Sequence, residues 1–313
     1  MMSLRCRVRV VGVWTLTIAA AAFSAEVARP ASVAAQDFHA CFERSERLYD
    51  SVGSGILPGP APQTLNIIQA GDYAQAAALA GPRTLLITDL DNTVFEPAQD
   101  LGSDEWFNYF YKKMSQEGET LDQVLDVFNK IMLATDMIPV QSGTPRLLAR
   151  LQAAGDQVMA LTVRNHALFQ RTPAQLARLG IDFGRTAPLA GNFSIPTSGG
   201  EGRQAFYGNG VIFSDGPPKG PVLAEFLRTL KERTGELPDR IVYIDDSAKH
   251  VEDVGATVAA MGIGFVGLRY AYDDEKVRNF NPAASDFELG CFEATGRLVS
   301  NSRALRGECP GRN

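Results

Sequence analysis

The stretch Thr84-Leu85-Leu86-Ile87-Thr88-Asp89-Leu90-Asp91-Asn92-Thr93 joins a short apolar run to a cluster of polar side chains. The apolar part does not alternate with polar residues, which is typical of a strand buried on both faces of a parallel sheet. Gly81-Pro82 marks the beginning of the run. Because ligands of open α/β sheets bind beyond the carboxyl ends of the strands, Asp89 and Asp91 lie where a site is expected.

Similar apolar runs recur along the chain and alternate with segments of helical periodicity. The sequence predicts further strands at residues 157–161, 240–244 and 262–268, and helices at 144–154, 166–179, 222–234 and 247–261. Strands that alternate with helices in this order indicate a parallel sheet covered by helices on both faces. The predicted fold class is therefore α/β, with three α/β/α layers.

Two segments depart from this alternation. Residues 104–135 are typical of two helices separated by Glu117-Gly118-Glu119, and Ser103 or Asp104 could cap the first helix. This segment predicts a small helical cap inserted after the first strand. In the second segment, Asn209-Gly210 lies between aromatic and β-branched residues, a pattern that predicts a tight hairpin over residues 206–213.

The N-terminal residues are typical of an export signal. Arg5, Arg7 and Arg9 precede an apolar run over residues 10–23, which is short for a membrane span, and cleavage is expected after Ala35. An uncleaved anchor is the alternative. The expected domains are a signal peptide at 1–35, a helical or loop extension at 36–83, an α/β core at 84–270 with a cap at about 96–140, and a tail at 271–313. We expect a periplasmic or secreted protein without stable membrane association after cleavage.

Charge and cysteine content limit the partners and the redox state. The chain of 313 residues carries 30 Lys and Arg against 36 Asp and Glu, without a dense basic block, so a nucleic-acid partner is disfavoured. After signal cleavage Cys41, Cys291 and Cys309 remain, and in an oxidising compartment they predict one disulfide and one free thiol. The favoured bridge joins Cys41 to Cys291 or Cys309, although the sequence does not determine the pair.

Polar residues follow three later predicted elements in a fixed order. Thr162 follows the strand at 157–161, Lys219 precedes a helix after Asp215-Gly216-Pro217-Pro218, and Asp245-Asp246 follows the strand at 240–244. Together with Asp89 and Asp91, these residues form a set that is far more specific than the D-x-D-x-T pattern alone. The set predicts one site at the carboxyl edge of the sheet.

This ordered set resembles the four motifs of the haloacid dehalogenase-like (HAD) hydrolase superfamily, which are D-x-D-x-[TV], a Thr or Ser, a Lys, and a pair of acids. The resemblance covers residues 84–270. Stretches such as Ala160-Leu161-Thr162-Val163-Arg164-Asn165 and Tyr243-Ile244-Asp245-Asp246-Ser247 are similar to a secreted bacterial branch without an assigned substrate. The chain is less closely similar to secreted acid phosphatases of the superfamily. The resemblance implies a HAD-like Rossmannoid fold and an Mg²⁺-dependent phosphomonoesterase for a small phosphorylated substrate.

The chemistry of phosphate esters gives these residues consistent roles. A carboxylate can attack phosphorus only if cationic or hydroxyl groups neutralise the equatorial oxygens. Asp89 is the predicted nucleophile and would form an aspartyl-phosphate, while Asp91 would protonate the leaving alcohol and then deprotonate water. Thr162 and Lys219 are expected to contact phosphoryl oxygens.

The sequence also suggests metal and substrate contacts. The resemblance implies that Asp89, Asp246 and the backbone carbonyl of Asp91 are the Mg²⁺ ligands, with Asp245 orienting the site or binding through water. Asp253 could support them. The residues Trp106, Arg164 and Asn165 are candidate substrate contacts. The three histidines lack a metal-ligand spacing, so each is expected to be structural.

Two alternatives stay open: a catalytically idle phospho-ligand-binding protein, and a glycosyltransferase that uses Asp89-Leu90-Asp91 as a metal site.

Overall fold

The structure is a computed structural model that describes residues 65–197 and 203–311. The predicted signal peptide and Cys41 lie outside these residues. In the described ranges, every helix is too short or too polar to cross a membrane.

The fold is built from ten strands and ten α-helices within the described residues. The strands are β1 (Ile67–Ala70), β2 (Thr84–Thr88), β3 (Phe95–Pro97), β4 (Met137–Pro139), β5 (Gln157–Thr162), β6 (Phe193–Ser194), β7 (Phe206–Gly208), β8 (Val211–Phe213), β9 (Arg240–Asp245) and β10 (Gly264–Tyr270). The helices are α1 (Ala74–Ala77), α2 (Asp104–Gln116), α3 (Leu121–Ala134), α4 (Thr144–Ala153), α5 (Arg171–Arg178), α6 (Lys219–Thr234), α7 (Ala248–Ala260), α8 (Asp274–Arg278), α9 (Pro282–Thr295) and α10 (Asn301–Leu305).

Eight of the strands form one sheet in the order β1-β10-β9-β2-β5-β8-β7-β6. The first six strands in this order are parallel, and the predicted hairpin adds β7 antiparallel to β8. Strand β2 is fully buried: Leu86 packs in the core on one face of the sheet, whereas Leu85 and Ile87 pack in the core on the other. The predicted α/β fold class is confirmed.

Strand β1 differs from the helical or loop extension that the sequence predicts for residues 36–83. Ile67 and Ile68 pair in parallel with Gly267 and Leu268 of β10, so the sheet begins before Thr84. The segment offers only two consecutive apolar side chains, both partly exposed. Its position is determined by backbone hydrogen bonds to β10, and such bonds leave no periodic signal in a sequence.

Helices α2 and α3, which we call the cap, lie between two short antiparallel strands. Strand β3 leads into the cap and pairs with β4, which leads out of it. The side chain of Ser103 accepts a hydrogen bond from the Trp106 amide at 3.1 Å and caps α2, as the sequence suggests. Thr120 and Gln123 form a capping box that begins α3, directly after the predicted break.

The predicted C-terminal tail contains three helices, of which α9 contacts the cap. Asp286 of α9 accepts hydrogen bonds from Tyr109 at 2.8 Å and Lys113 at 3.0 Å, both on α2. Glu288 is fully buried and accepts a hydrogen bond from the Leu101 amide at 2.8 Å. Helix α9 is therefore part of the structure that holds the cap in place.

The disulfide joins Cys291 to Cys309, 18 residues apart. The favoured pairing of either residue with Cys41 is therefore wrong for this structure. Cys291 is buried on α9, and the chain returns to it after α10, so the two cysteines near the C-terminus meet locally.

Loss of this disulfide should destabilise the protein. For a closed loop of this length, the Cys291→Ala/Cys309→Ala double variant is expected to lose about 2–4 kcal/mol of unfolding free energy. Denaturant unfolding with and without reductant measures the effect. An oxidised wild type that is no more stable than the double variant would contradict the expectation.

The stability of the α9 contact should depend on pH through Glu288. Burial raises the pKa of Glu288 to about 8, and the Leu101 amide only partly opposes this shift. The folded state therefore binds a proton more tightly than the unfolded state, so stability falls as pH rises from about 4.5 to about 8, by on the order of 1.4 kcal/mol per pH unit. The Glu288→Gln variant should lose this component of the pH dependence. Glu293→Gln, at an exposed position of the same helix, should retain it, and equal profiles for both variants would refute the assignment.

Candidate active site

A tight turn after β2 places Asp89 and Asp91 at the carboxyl end of the sheet. The carbonyl of Leu90 accepts hydrogen bonds from the amides of the next residues of the turn, at positions 93, 94 and 95. Asn92 closes the turn with φ 53°, a left-handed conformation that asparagine adopts more readily than most residues. Both carboxylates line a cavity of about 340 Å³.

Lys219 lies at the first turn of α6 and is almost completely buried. Its Nζ atom lies 2.5 Å from Asp89 Oδ1 and 2.7 Å from Asp245 Oδ2. Burial alone would lower the pKa of Lys219, but the two carboxylates outweigh it and raise this pKa. Lys219 is therefore a fixed positive charge beside Asp89.

The start of α6 is held by a neighbouring helix. The Gly220 amide donates a hydrogen bond to Asp253 Oδ2 of α7 at 2.7 Å. A Cβ atom at position 220 would clash with Asp253 and Thr257, so glycine permits the close approach of the two helices. Asp253 therefore supports the segment that carries Lys219, and it does not line the cavity.

The two acids after β9 have different surroundings. Asp245 is fully buried, and its carboxylate accepts hydrogen bonds from Lys219, from the Ser247 amide at 2.7 Å and from the Tyr243 hydroxyl. Asp246 instead lines the cavity, and its amide donates to Thr93 Oγ1 at 3.2 Å. The threonine of the D-x-D-x-T motif thus connects the first loop to the last one.

The three carboxylates Asp89, Asp245 and Asp246 offer oxygen atoms that lie within 4.8 Å of one another. Burial and neighbouring acids raise the pKa of Asp246 to about 9. Burial and Asp245 raise the pKa of Asp89 to about 7, despite the opposing effect of Lys219. A bound cation would favour the charged forms of these carboxylates. Since all the ligand atoms are oxygens, the cluster suits a hard divalent cation such as Mg²⁺.

Arg164 holds Asp91 in a two-point ion pair. Arg164 Nε lies 2.7 Å from Asp91 Oδ2, and Arg164 Nη2 lies 2.7 Å from Asp91 Oδ1. The guanidinium is buried, and it does not line the cavity. The predicted direct contact of Arg164 with substrate is therefore not supported, because this side chain lies behind Asp91.

Three other predicted residues do not line the cavity. Thr162 is fully buried at the end of β5, and its hydroxyl accepts a hydrogen bond from the Arg164 amide at 3.2 Å. Asn165 donates to Asn129 of the cap at 3.0 Å. Trp106 is fully buried and stacks on Phe110, so the structure does not support its predicted role as a wall over the substrate. Aromatic residues at helical spacing form the core of the cap here.

Several cavity residues carry no signal that the sequence reveals on its own. The cap contributes the acids Asp104 and Glu105, and α7 contributes His250, for which the sequence favours a structural role. His250 Nδ1 lies 3.4 Å from Asp245 Oδ2. The remaining lining residues that the sequence leaves unassigned are Asn92, Asn108, Val163, Ser247 and Val277. Two of these residues could have been found from the sequence: Asn92 lies inside the first motif, and His250 lies one helical turn after Asp246.

Comparison with known proteins identifies relatives in Chlamydia. Proteins named "Putative outer membrane protein" from Chlamydia pneumoniae and Chlamydia trachomatis are 26% and 25% identical, and each alignment covers 59% of this chain and 68% of the relative. A second Chlamydia pneumoniae protein of the same name is 23% identical, over 71% of this chain and 83% of its own length.

A solved structure and a protein family also match the chain. The structure is a class C acid phosphatase from Bacillus anthracis with tungstate bound, which is 18% identical with a TM-score of 0.29, and the match covers 72% of this chain and 84% of that one. The family is described as "Protein of unknown function (DUF2608)", and it matches residues 64–303. This match spans the whole sheet, the cap and most of the C-terminal helices, and the chain therefore belongs to the DUF2608 family.

Proposed function

We propose that this protein is a HAD-type phosphomonoesterase that hydrolyses a small phosphorylated substrate with the help of Mg²⁺. The observation that carries the proposal is the convergence of Asp89, Asp91, Lys219 and Asp246 on one cavity. These residues come from three separate segments of the chain, and they provide a nucleophile, a second acid, a cation and a candidate metal ligand. A structural role alone does not require this combination.

Asp89 is the proposed nucleophile. Lys219 binds one of its carboxylate oxygens, so the other oxygen is available for attack on phosphorus. In the first displacement a bond forms between Asp89 and phosphorus, the bond to the leaving oxygen breaks, and Asp91 gives that oxygen a proton. In the second displacement water attacks phosphorus and gives a proton to Asp91, the bond between Asp89 and phosphorus breaks, and inorganic phosphate is released.

The candidate metal ligands are Asp89, Asp246 and the backbone carbonyl of Asp91. A bound Mg²⁺ would neutralise phosphoryl oxygens and allow an anionic substrate to approach carboxylates. The buried network around Asp245 suits an orienting role, because its oxygens already accept hydrogen bonds from three groups. Lys219 would contact the phosphoryl group directly, whereas Thr162 would need a small rearrangement to do so.

The same geometry weighs against a glycosyltransferase. A D-x-D glycosyltransferase gives no role to Asp246, which lines the same cavity as Asp89 and Asp91. A glycosyltransferase also gives no role to Lys219, which lies between Asp89 and Asp245.

We further propose that the protein is exported, to the periplasm or beyond. The N-terminal run of arginines and apolar residues supports this location. The disulfide between Cys291 and Cys309 and the names of the chlamydial relatives are consistent with it, because disulfides persist in oxidising compartments.

Release of inorganic phosphate from a panel of phosphomonoesters tests the proposed function. The purified chain should turn over at least one compound class with Mg²⁺ and lose this activity with a chelator. A tight complex with a phosphorylated compound that is never hydrolysed would instead favour an idle binding protein. Hydrolysis that is unaffected by the chelator would contradict the metal requirement.

A further inference from the structure

Asp91 is connected to the cap by a continuous series of buried hydrogen bonds. Arg164 binds Asp91 with one edge of its guanidinium, and its Nη1 atom donates to Gln175 Oε1 of α5 at 2.7 Å. Gln175 Nε2 in turn donates to the carbonyl of Thr135 at 2.8 Å and lies 3.3 Å from that of Met132. These two carbonyls belong to the C-terminal end of cap helix α3, where the chain leaves the cap.

A second contact links Arg164 to the strand that enters the cap. The guanidinium lies over the ring of Phe95 in β3, with its central carbon 4.6 Å from the ring centroid. Phe95 pairs with Pro139 of β4. Arg164 therefore contacts the entry strand directly and the exit from the cap through Gln175.

We propose that Gln175 and Arg164 are positioning residues that fix the carboxylate of Asp91 according to the position of the cap. The inference rests on the proposed function, in which Asp91 transfers protons to and from the substrate. Cap residues Asp104 and Glu105, in the first turn of α2, line the same cavity as Asp91, so a substrate bound there lies against both Asp91 and the cap. A shift of the cap is transmitted to Asp91 through bonds that are all buried.

Gln175 could instead have a purely structural role at the end of helix α3, and a control variant distinguishes the two roles. The last carbonyls of a helix lack partners within the helix, and a side chain such as Gln175 can satisfy them. Arg171 offers a matched control, because its Nη2 atom donates to the same Thr135 carbonyl at 2.7 Å. Arg171 also pairs with Asp136. Within the part of the chain that the structure describes, no hydrogen bond joins Arg171 to Arg164.

The test compares Gln175→Met with Arg171→Met in the full chain, using an alkyl and an aryl phosphate. The aryl leaving group departs readily without a proton, whereas the alkyl one depends on Asp91. Gln175→Met should lower kcat for the alkyl phosphate by about tenfold more than for the aryl phosphate, with KM changed less than kcat. Arg171→Met should leave the ratio of the two rates unchanged. If Gln175→Met does not fold, Gln175→Glu keeps an acceptor for Arg164 and removes the donor to the cap, and it should shift the ratio in the same direction.

A crystal structure of Gln175→Met provides a readout that does not depend on activity. The expected result is an altered Asp91 side chain that has lost at least one of its two bonds to Arg164. An unchanged ion pair, or a rate ratio equal to that of Arg171→Met, would overturn the inference. Absence of turnover in the wild type would refute the proposed function instead, and the crystal structure would then decide the connection by itself.

Discussion

The Asp89→Asn variant is expected to lose phosphate release almost completely, with kcat lowered by about 10⁴-fold or more. An amide is a poor nucleophile, so the first displacement cannot occur even though the side chain keeps its shape. Steady-state phosphate release measures the effect. Wild-type activity in this variant would rule out Asp89 as the nucleophile.

The same variant should gain stability relative to the wild type as pH rises from 5 to 8 without metal. The pKa of Asp89 is raised from its ordinary value near 3.8 to about 7, first by burial and then by Asp245. The folded state therefore disfavours the charged form, and the stability contributed by this group falls as pH rises from about 4 to about 7. A neutral asparagine avoids this loss. Denaturant unfolding at pH 5 and pH 8 should show a relative gain for Asp89→Asn at the higher pH.

The second large effect is expected for Lys219→Met. Removal of the ammonium leaves Asp89 and Asp245 buried without their shared cation, which typically costs about 3–5 kcal/mol. Turnover should also fall, by about 10²-fold or more, because the proposed phosphoryl contact is lost. Unfolding and phosphate release measured on the same preparation separate the two effects.

Added Mg²⁺ provides a second test of the role of the Lys219 charge. If the carboxylates bind the metal, Mg²⁺ should raise the unfolding free energy of Lys219→Met more than it raises the unfolding free energy of the wild type. Part of the stability lost in the variant should thereby return. Lys249→Met, at an exposed position of α7, is the control and should change neither property. Wild-type stability in Lys219→Met would contradict the ion pairs with Asp89 and Asp245.

The sequence predicts the parts of the fold that depend on local pattern. The buried strand β2, the hairpin at Asn209-Gly210 and the two cap helices with their break are each determined by a few neighbouring residues. The predicted helix at 166–179 is less accurate, because the structure has a short 3₁₀ helix at His166–Leu168 before α5 begins at Arg171. Strand β1 is missed because only its pairing with β10 defines it.

The site is predictable where the chemistry follows a strand end and unpredictable where tertiary packing decides. Asp89, Lys219 and Asp246 meet because their segments end at the same edge of the sheet. Burial of Trp106 depends on the packing of the cap, which periodicity leaves open. The pairing of Arg164 with Asp91 joins residues 73 positions apart, and a single sequence gives no signal for such a pair.

The proposed mechanism requires Asp89 to carry the phosphoryl group during turnover. The most direct measurement is to quench the reaction in acid, reduce the protein with borohydride and map the peptide that contains residue 89 by mass spectrometry. Borohydride reduces an aspartyl-phosphate and leaves a free carboxylate intact, so we expect a reduced side chain at position 89 only when substrate and Mg²⁺ are present. An unmodified Asp89 in protein that is turning over under the same conditions, whether or not another acid is reduced, would show that Asp89 does not carry the phosphoryl group.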